Sequence, residues 1–535
     1  MKIITVFLFF VYSSMHSQAP AMDWMLRYGG TQLNYGFSLI PTLDGGFMIG
    51  GHSNSNASGI KTENLVGFDY DYWILKLNSV GAIEWQRDIG GGVINPFIDS
   101  MGDRLSDIQQ ASDGSYFLGG SSDSQIYGHK TEPCYGYYDY WVVKLDVSGN
   151  ILWDKTLGGA LGDGLTVLQP TPDGGCIAGG NSNSNVSGNK SENSRGGNDF
   201  WIVKLNASGQ IEWQRTMGGS GNDILSSILE TNSNEYLLGG WSDSNISGEK
   251  TENSKGSSDF WIVKINLSGT ILWQKTIGGN SGDRLSSMTK SNNSILLAGD
   301  SSSNISGDKS ENSRGLSDYW LVKIDNNGTL QWDKTYGGAD SEDMFEVTPH
   351  SNGGYVVSGG TKSPSSGDKT DAFFGGTGDA WIIRIAENGS LLWQKAIGGS
   401  DGEALYNVIT LPDQSIVLGG STISPVSGNI NVPGYGGLDY WLVKLQPETL
   451  GISYNEANQF SCYPNPTKEA VNLHFETPKE KISITVYNAL LQKTQEMVFN
   501  NSNSATFMLK GTSGMYFVKV KTDNDRENLI KIIKK

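Results

Sequence analysis

Short runs of apolar, β-branched and aromatic residues, bounded by polar turn residues, return along this chain in a fixed order. Asp199-Phe200-Trp201-Ile202-Val203-Lys204-Leu205 has the length and composition of a buried strand, and seven versions of it occur. Its tryptophan recurs as Trp73, Trp141, Trp201, Trp261, Trp320, Trp381 and Trp441, at spacings of 68, 60, 60, 59, 61 and 60 residues. A second series runs Trp24, Trp85, Trp153, Trp213, Trp273, Trp332 and Trp393, so that of fifteen tryptophans only Trp241 stands outside the repeat. One period supplies four strands. Leu152–Thr156 precedes Gly158-Gly159, and Leu165–Leu168 follows. The turn Asp173-Gly174-Gly175 leads to Cys176–Gly180, and a polar loop leads to Phe200–Leu205.

Four short strands per repeat of about 60 residues predict one antiparallel blade of a β-propeller. No 3.6-residue period appears in the unit. The array begins at Trp24 and stops at Leu445, where one more strand is due. The segment Asp23–Tyr28 is expected to fill that place and remove two free sheet edges. The predicted fold is all-β, with a seven-bladed β-propeller over 22–446, a linker over 447–460 and a small Ig-like β-sandwich over 461–535. Strands in the last part are expected at Val471–Phe475, Ile482–Tyr487, Thr494–Phe499, Thr506–Leu509 and Gly514–Lys521.

Composition adds an address. Lys2, the apolar run Ile3–Tyr12 and the small-residue exit through Ala21 read as a secretory signal peptide over 1–21. No later apolar run has the roughly 18 residues a membrane helix needs, so no transmembrane segment is expected. A formal charge of −17 argues against non-specific binding to nucleic acid or anionic lipid, which needs basic surface. Three scattered cysteines make no disulfide framework.

Candidate chemistry falls into three groups. Asp71, Asp139, Asp199, Asp259, Asp318, Asp379 and Asp439 precede the tryptophans by two positions, and a basic residue follows each by three. Near-identical copies favour a structural role, with aspartates holding turn amides and the basic residues on a solvent face or in inter-blade pairs. The loops Ser184–Gly196, Ser244–Gly256 and Ser303–Gly315 are nearly identical and rich in oxygen ligands of the kind Ca²⁺ takes. Each also carries a lysine and lacks a dense Asp-x-Asp-x-Asp run, so no metal or other cofactor is indicated, with calcium the one candidate ion. Aromatic residues make the remaining loops unlike the rest: Phe68 and Tyr70, then Tyr127, Tyr135, Tyr137 and Tyr138, then Phe373 and Phe374. Such rings either stack on a sugar or protein partner or pack locally within longer loops. No catalytic residue is identified: histidines are single, and nucleophile and phosphate-loop patterns are absent. Asp340, Glu342, Asp343, Asp401 and Glu403 are the acids a glycosidase-like site would draw on.

Two resemblances follow from motifs. The Asp146-Val147-Ser148-Gly149 hairpin leading to Trp153 resembles the tryptophan-docking motif of quinoprotein-type propellers, with a shorter aspartate-to-glycine interval and no cofactor site implied. At the C-terminus, Tyr463-Pro464-Asn465-Pro466, Val486-Tyr487-Asn488, the strand from Gly514 through Tyr516 to Val520 and the basic end resemble the type A C-terminal sorting domain of type IX secretion (Por) cargo. That resemblance implies recognition by the outer-membrane type IX machinery and release or attachment at the cell surface. The expected protein is a monomeric, exported binding or adhesion scaffold that presents loops to a glycan or surface protein. The alternatives are a hydrolase with its site at the central channel and a calcium-stabilised surface protein.

Overall fold

A β-blade forms from each repeat because its second and third strands are buried on both faces while its innermost strand alternates. The computed structural model describes residues 19–92, 101–232, 235–291, 293–448, 460–463, 466–489, 492–522 and 527–535. Every described element is a strand, and two separate units are present, one ending at Pro447 and the other starting at Glu448. The first holds seven four-stranded antiparallel sheets. Their innermost strands are Asn34–Pro41, Asp103–Gln110, Asp163–Pro170, Asp223–Asn232, Asp283–Ser291, Glu342–Pro349 and Glu403–Thr410. Each packs against the next and the last packs against the first, which makes the ring of a seven-bladed β-propeller. Met22–Tyr28 pairs antiparallel with Asp439–Leu445 and completes the seventh blade.

The third strand of every blade carries the core. Trp73, Trp141, Trp201, Trp261, Trp320, Trp381 and Trp441 are all fully buried. Most stack on the aromatic residue of the preceding blade: Tyr72 meets Trp141 at 4.9 Å, Tyr140 meets Trp201 at 4.8 Å, and Tyr440 meets Trp73 at 4.7 Å across the closure. The tyrosine hydroxyls then donate to the backbone carbonyls of those tryptophans. Large rings thus glue blade to blade, with their polar ends satisfied. The outer tryptophans dock one blade further on. Trp153 covers Gly209, whose φ of +77° suits glycine in the hairpin, and its Nε1 donates to the Ala207 carbonyl.

The basic residues after the tryptophans do not lie on a solvent face. Lys76, Lys144, Lys204, Lys264, Lys323 and Arg384 are buried along their stems. The ammonium groups of Lys76, Lys204, Lys264 and Lys323 reach Asp44, Asp173, Glu235 and Glu387, while Lys144 donates to the Gly174 carbonyl and the Arg384 guanidinium to the Ile385 and Gly353 carbonyls. The flat sheet surface beneath them has room for aliphatic stems, so the charge emerges only at the strand end.

In the second unit, hydrogen bonding joins Phe460–Tyr463, Ala470–Asn488, Lys493–Met508, Gly514–Thr522 and Glu527–Lys534. The breaks expected after Phe475 and Phe499 do not occur. The polar residues between the apolar runs stay in the strands, and an irregularity between His474 and Lys479 absorbs the bend. Val471, Leu473, Ile482, Ile484, Phe507, Val518 and Ile532, drawn from both halves of the long strands, share one core.

Candidate functional site

The repeated acids and loops come first, because they define what is common to all blades. Each aspartate two residues before the core tryptophan is buried, and one of its carboxylate oxygens accepts the backbone N–H of the loop before it. Val66 donates to Asp71 at 2.6 Å, Arg195 to Asp199 at 2.6 Å and Phe374 to Asp379 at 2.7 Å. A second ring of acids opens the innermost strands. Asp103, Asp163, Asp223 and Asp283 accept from Gly91, Gly159, Gly219 and Gly279, and Glu342 and Glu403 do the same with Gly338 and Gly399. Glu342 and Glu403 are therefore tied into turns, Asp340 is half-buried, and Asp343 and Asp401 are exposed.

Between the two rings lies the loop lysine. Lys130, Lys190, Lys250 and Lys309 are buried, and each ammonium sits over a core tryptophan ring, at 4.9 to 5.5 Å from the centroid. Lys190 faces Asp163 and Asp199, and Lys309 faces Asp283 and Asp318. The lysine thus occupies the place between acids that a cation would take. Burial pushes Lys190 and Lys309 down to about 8. Burial also raises Asp139 to about 7 and Asp103 to about 6, with Asp163 adding to the first shift and Asp71 to the second, against the lowering effect of Lys130. Among the described residues no group of three or more His, Cys, Asp or Glu side chains is placed to hold a metal ion.

The aromatic loop residues separate into two places. Tyr135 and Phe374 stand where other blades have Arg195, Lys255 and Arg314, and each lies against the positive-φ glycine of the next loop, Gly188 or Gly428. At the same point Arg195 pairs with Glu249 and Arg314 with Asp368, so this position links neighbouring loops. Phe68 and Tyr127 line a cavity of about 350 Å³ with Val66, Gly67, Gly92, Gln125 and Ile126. Tyr137 is exposed, and Tyr138 and Phe373 are half-buried. Tyr70 belongs elsewhere: it lines the mouth of the central channel.

That mouth is where the blades differ. Every innermost strand bulges at the same register, and a bulge re-aims the extra side chain. The bulged residue is Ser106, Thr166, Ser226 and Ser286 in four consecutive blades, and Phe345, Tyr406 and Phe37 in the other three. Just above it, one cross-strand pair is different in every blade: Tyr35–His52, Arg104–Ser121, Gly164–Asn181, Ile224–Trp241, Arg284–Asp300, Asp343–Gly360 and Ala404–Ser421. The rings gather on one side. Phe345 meets Tyr406 and Tyr406 meets Phe37, both at 5.0 Å, and His52 packs on Phe37 at 5.1 Å, on Tyr35 at 5.0 Å and on Tyr70 at 5.1 Å. A cavity of about 540 Å³ opens there, lined by Tyr35, Phe37, His52, Tyr70, Met101, Arg104, Leu105, Ser106, Ser121 and Thr166. Its size and its mix of rings with a few polar groups are those of a small-ligand pocket. Sequence reasoning found Tyr70 but missed its neighbours. The usable signal was the one variable position in otherwise near-identical Gly-Gly strands, read blade against blade.

Two channel acids were also missed. Asp107 accepts from the Leu168 amide at 2.8 Å, and Glu346 accepts from Ser287 Oγ at 2.7 Å. Burial raises Asp107 to about 6 and Glu346 to about 7.

Residues 461–535 match the secretion system C-terminal sorting domain. The protein is therefore cargo for type IX secretion, bound for the extracellular space or cell surface, and its sorting domain engages that machinery. In the described part of that domain, Tyr463 is exposed, Pro466 lies in the following turn, Gly514 opens a strand and Tyr516 is buried with its hydroxyl on the Thr512 carbonyl. Pro464 and Asn465, like residues 1–18 of the expected signal peptide 1–21, lie outside the described residues. No helix of the described chain is long and apolar enough to cross a membrane. Among characterised proteins, the regulatory protein FlaEY of Caulobacter vibrioides is 23% identical over 224 residues, 39% of this chain and 23% of that protein. This chain thus spans about a quarter of that relative. Among solved structures, a puromycin hydrolase is 11% identical over 86% of this chain and 62% of its own, with a TM-score of 0.44. The apocarotenoid oxygenase of Synechocystis is 11% identical over 81% and 95%, with a TM-score of 0.36. Neither likeness bears on the chemistry of the channel.

Proposed function

We propose that this exported propeller is a non-enzymatic binding or adhesion scaffold that takes a carbohydrate at the aromatic side of its channel mouth. One observation supports the reading above others: in seven near-identical blades, the positions that differ cluster at one end of the channel and bring six rings together. Flat rings with scattered hydroxyl donors suit a pyranose, which has apolar C–H faces and a polar rim. The test is binding of the full-length protein to arrayed oligosaccharides, with Phe37→Ala and Tyr70→Ala compared. Each variant should weaken binding about 10-fold or more and leave the melting temperature nearly unchanged. Unchanged affinity in both would remove the site from the mouth.

The hydrolytic reading has one observation in its favour, the raised acids Asp107 and Glu346 on unlike blades. Both already accept hydrogen bonds from adjacent strands or blades, which fits ties between innermost strands. Cleavage of a bound oligosaccharide that disappears in both Asp107→Asn and Glu346→Gln would establish the enzyme instead.

A further inference from the structure

We infer that the cavity between the first and second blades takes the carboxylate of an acidic sugar, with Arg104 as its counter-ion. This rests on the reading of the mouth as a carbohydrate site and narrows it to a substrate class. The whole chain carries a formal charge of −17, yet none of the ten residues lining this cavity is acidic and Arg104 is its only charged one. The guanidinium is held in place on two sides. Its Nε–H donates to the Met101 carbonyl at 2.9 Å, and its plane lies over the Tyr70 ring at 5.3 Å. Neither Nη group has a hydrogen-bond partner among the described residues, which leaves a planar two-donor edge free on a residue that lines the cavity. That edge matches a carboxylate in bidentate geometry.

The other arginine of the mouth makes the contrast. Arg284 also lies over an aromatic ring, Trp241, at 5.2 Å, but it faces Asp300, which in turn faces Asp343. Its charge is already balanced within the protein. Among the described residues no acid lines the Arg104 cavity.

His52 walls the cavity beside Arg104. It is 6% exposed, and burial together with the Arg104 charge pushes its pKa down to about 3, so the ring is neutral and adds no second charge. The hydroxyls of Ser106, Ser121 and Thr166 line the remaining rim. A bare carboxylate would use Arg104 alone, whereas a uronic acid also uses these hydroxyls.

The experiment is calorimetry on the full-length protein with three probes: a disaccharide ending in glucuronate, the same disaccharide with the acid converted to its carboxamide, and the glucose-ended disaccharide. The glucuronate form should bind about 10- to 100-fold tighter than the carboxamide. Arg104→Gln should erase that ratio, and Arg104→Lys should keep part of it. Equal binding of acid and carboxamide by the unmodified protein overturns this inference and leaves the carbohydrate reading standing. Binding of none of the three overturns both. The unmodified protein decides the first point without any variant, and melting temperatures check that the Arg104 variants fold.

Discussion

At the scale of single residues, the repeated Gly-Gly after each outer strand has two different causes. A Cβ on Gly218 would overlap the buried Asp199 carboxylate, and a Cβ on Gly219 would overlap Ser244 of the next loop. The same pair of clashes recurs at Gly158 with Asp139 and at Gly159 with Ser184. Neither glycine of the pair is required by its own dihedrals; both are required by what approaches them. Gly218→Ala should therefore cost about 1–3 kcal/mol, read as a lower urea midpoint. The approach also explains the acid. One oxygen of Asp199 faces the glycine, where no donor stands, and burial holds its pKa above the ordinary carboxylate value. Sequence alone shows that the glycines and aspartates recur. It does not show that they recur because they touch.

Elements differ from one another by compensated exchanges. Blades three to five place a lysine in the acid pocket and a threonine opposite, with Lys190 on Thr216, Lys250 on Thr276 and Lys309 on Thr335. In the seventh blade Ile430 replaces the lysine, and Arg27 of the closing strand reaches the pocket instead, 2.8 Å from Asp439 and buried. The ring-closing strand thus carries the cation that only the last blade lacks. Arg27→Thr should destabilise by about 3–5 kcal/mol, because Asp439 is left buried without a counter-charge, held only by the Tyr435 amide. Adding Ile430→Lys should recover most of that loss, read as a restored urea midpoint in the double variant. A ring closed only by backbone pairing would show no such rescue.

The same pockets set a pH dependence. Around Lys130 stand Asp103, Asp139, Asp154 and Cys134. With Asp103 near 6 and Asp139 near 7 in the folded state, against ordinary values near 4, the folded protein binds more protons between about pH 4 and 7. A raised folded pKa contributes stability at low pH that is lost as pH rises through the folded value. The urea midpoint should accordingly fall between pH 5 and pH 8, and Asp139→Asn should flatten that fall. Because a tethered ammonium already lies between the acids, a calcium chelator should leave the melting temperature unchanged; a drop would restore the calcium-stabilised alternative.

For the whole molecule, the sorting domain and the proposed channel-mouth site belong to separate units. Deleting 461–535 should hold the propeller in the periplasm while the full-length chain reaches the surface or medium, followed by cell fractionation. Surface delivery of the truncated chain would show that the sorting domain is dispensable for export. A ligand bound at the mouth should bind the chain at the surface as it does in solution, since its contacts lie within the first unit.

The chain order alone settled the all-β class, the seven-bladed architecture and the sorting domain. A 60-residue period, turn glycines and strand-length apolar runs are local properties, and Tyr463 with the strand from Gly514 is a local motif. The long strands Ala470–Asn488 and Lys493–Met508 escaped the local reading, since pairing across a sheet carries polar residues that propensity would place in turns. The channel mouth escaped it for a different reason. Tyr35, His52, Tyr70 and Arg104 are spread over about 70 residues, and Tyr406 lies more than 300 further on. Each looks like an irregularity in its own repeat. Only the closure of the ring, which sets the last blade against the first, and a bulge at one register of every innermost strand make them neighbours.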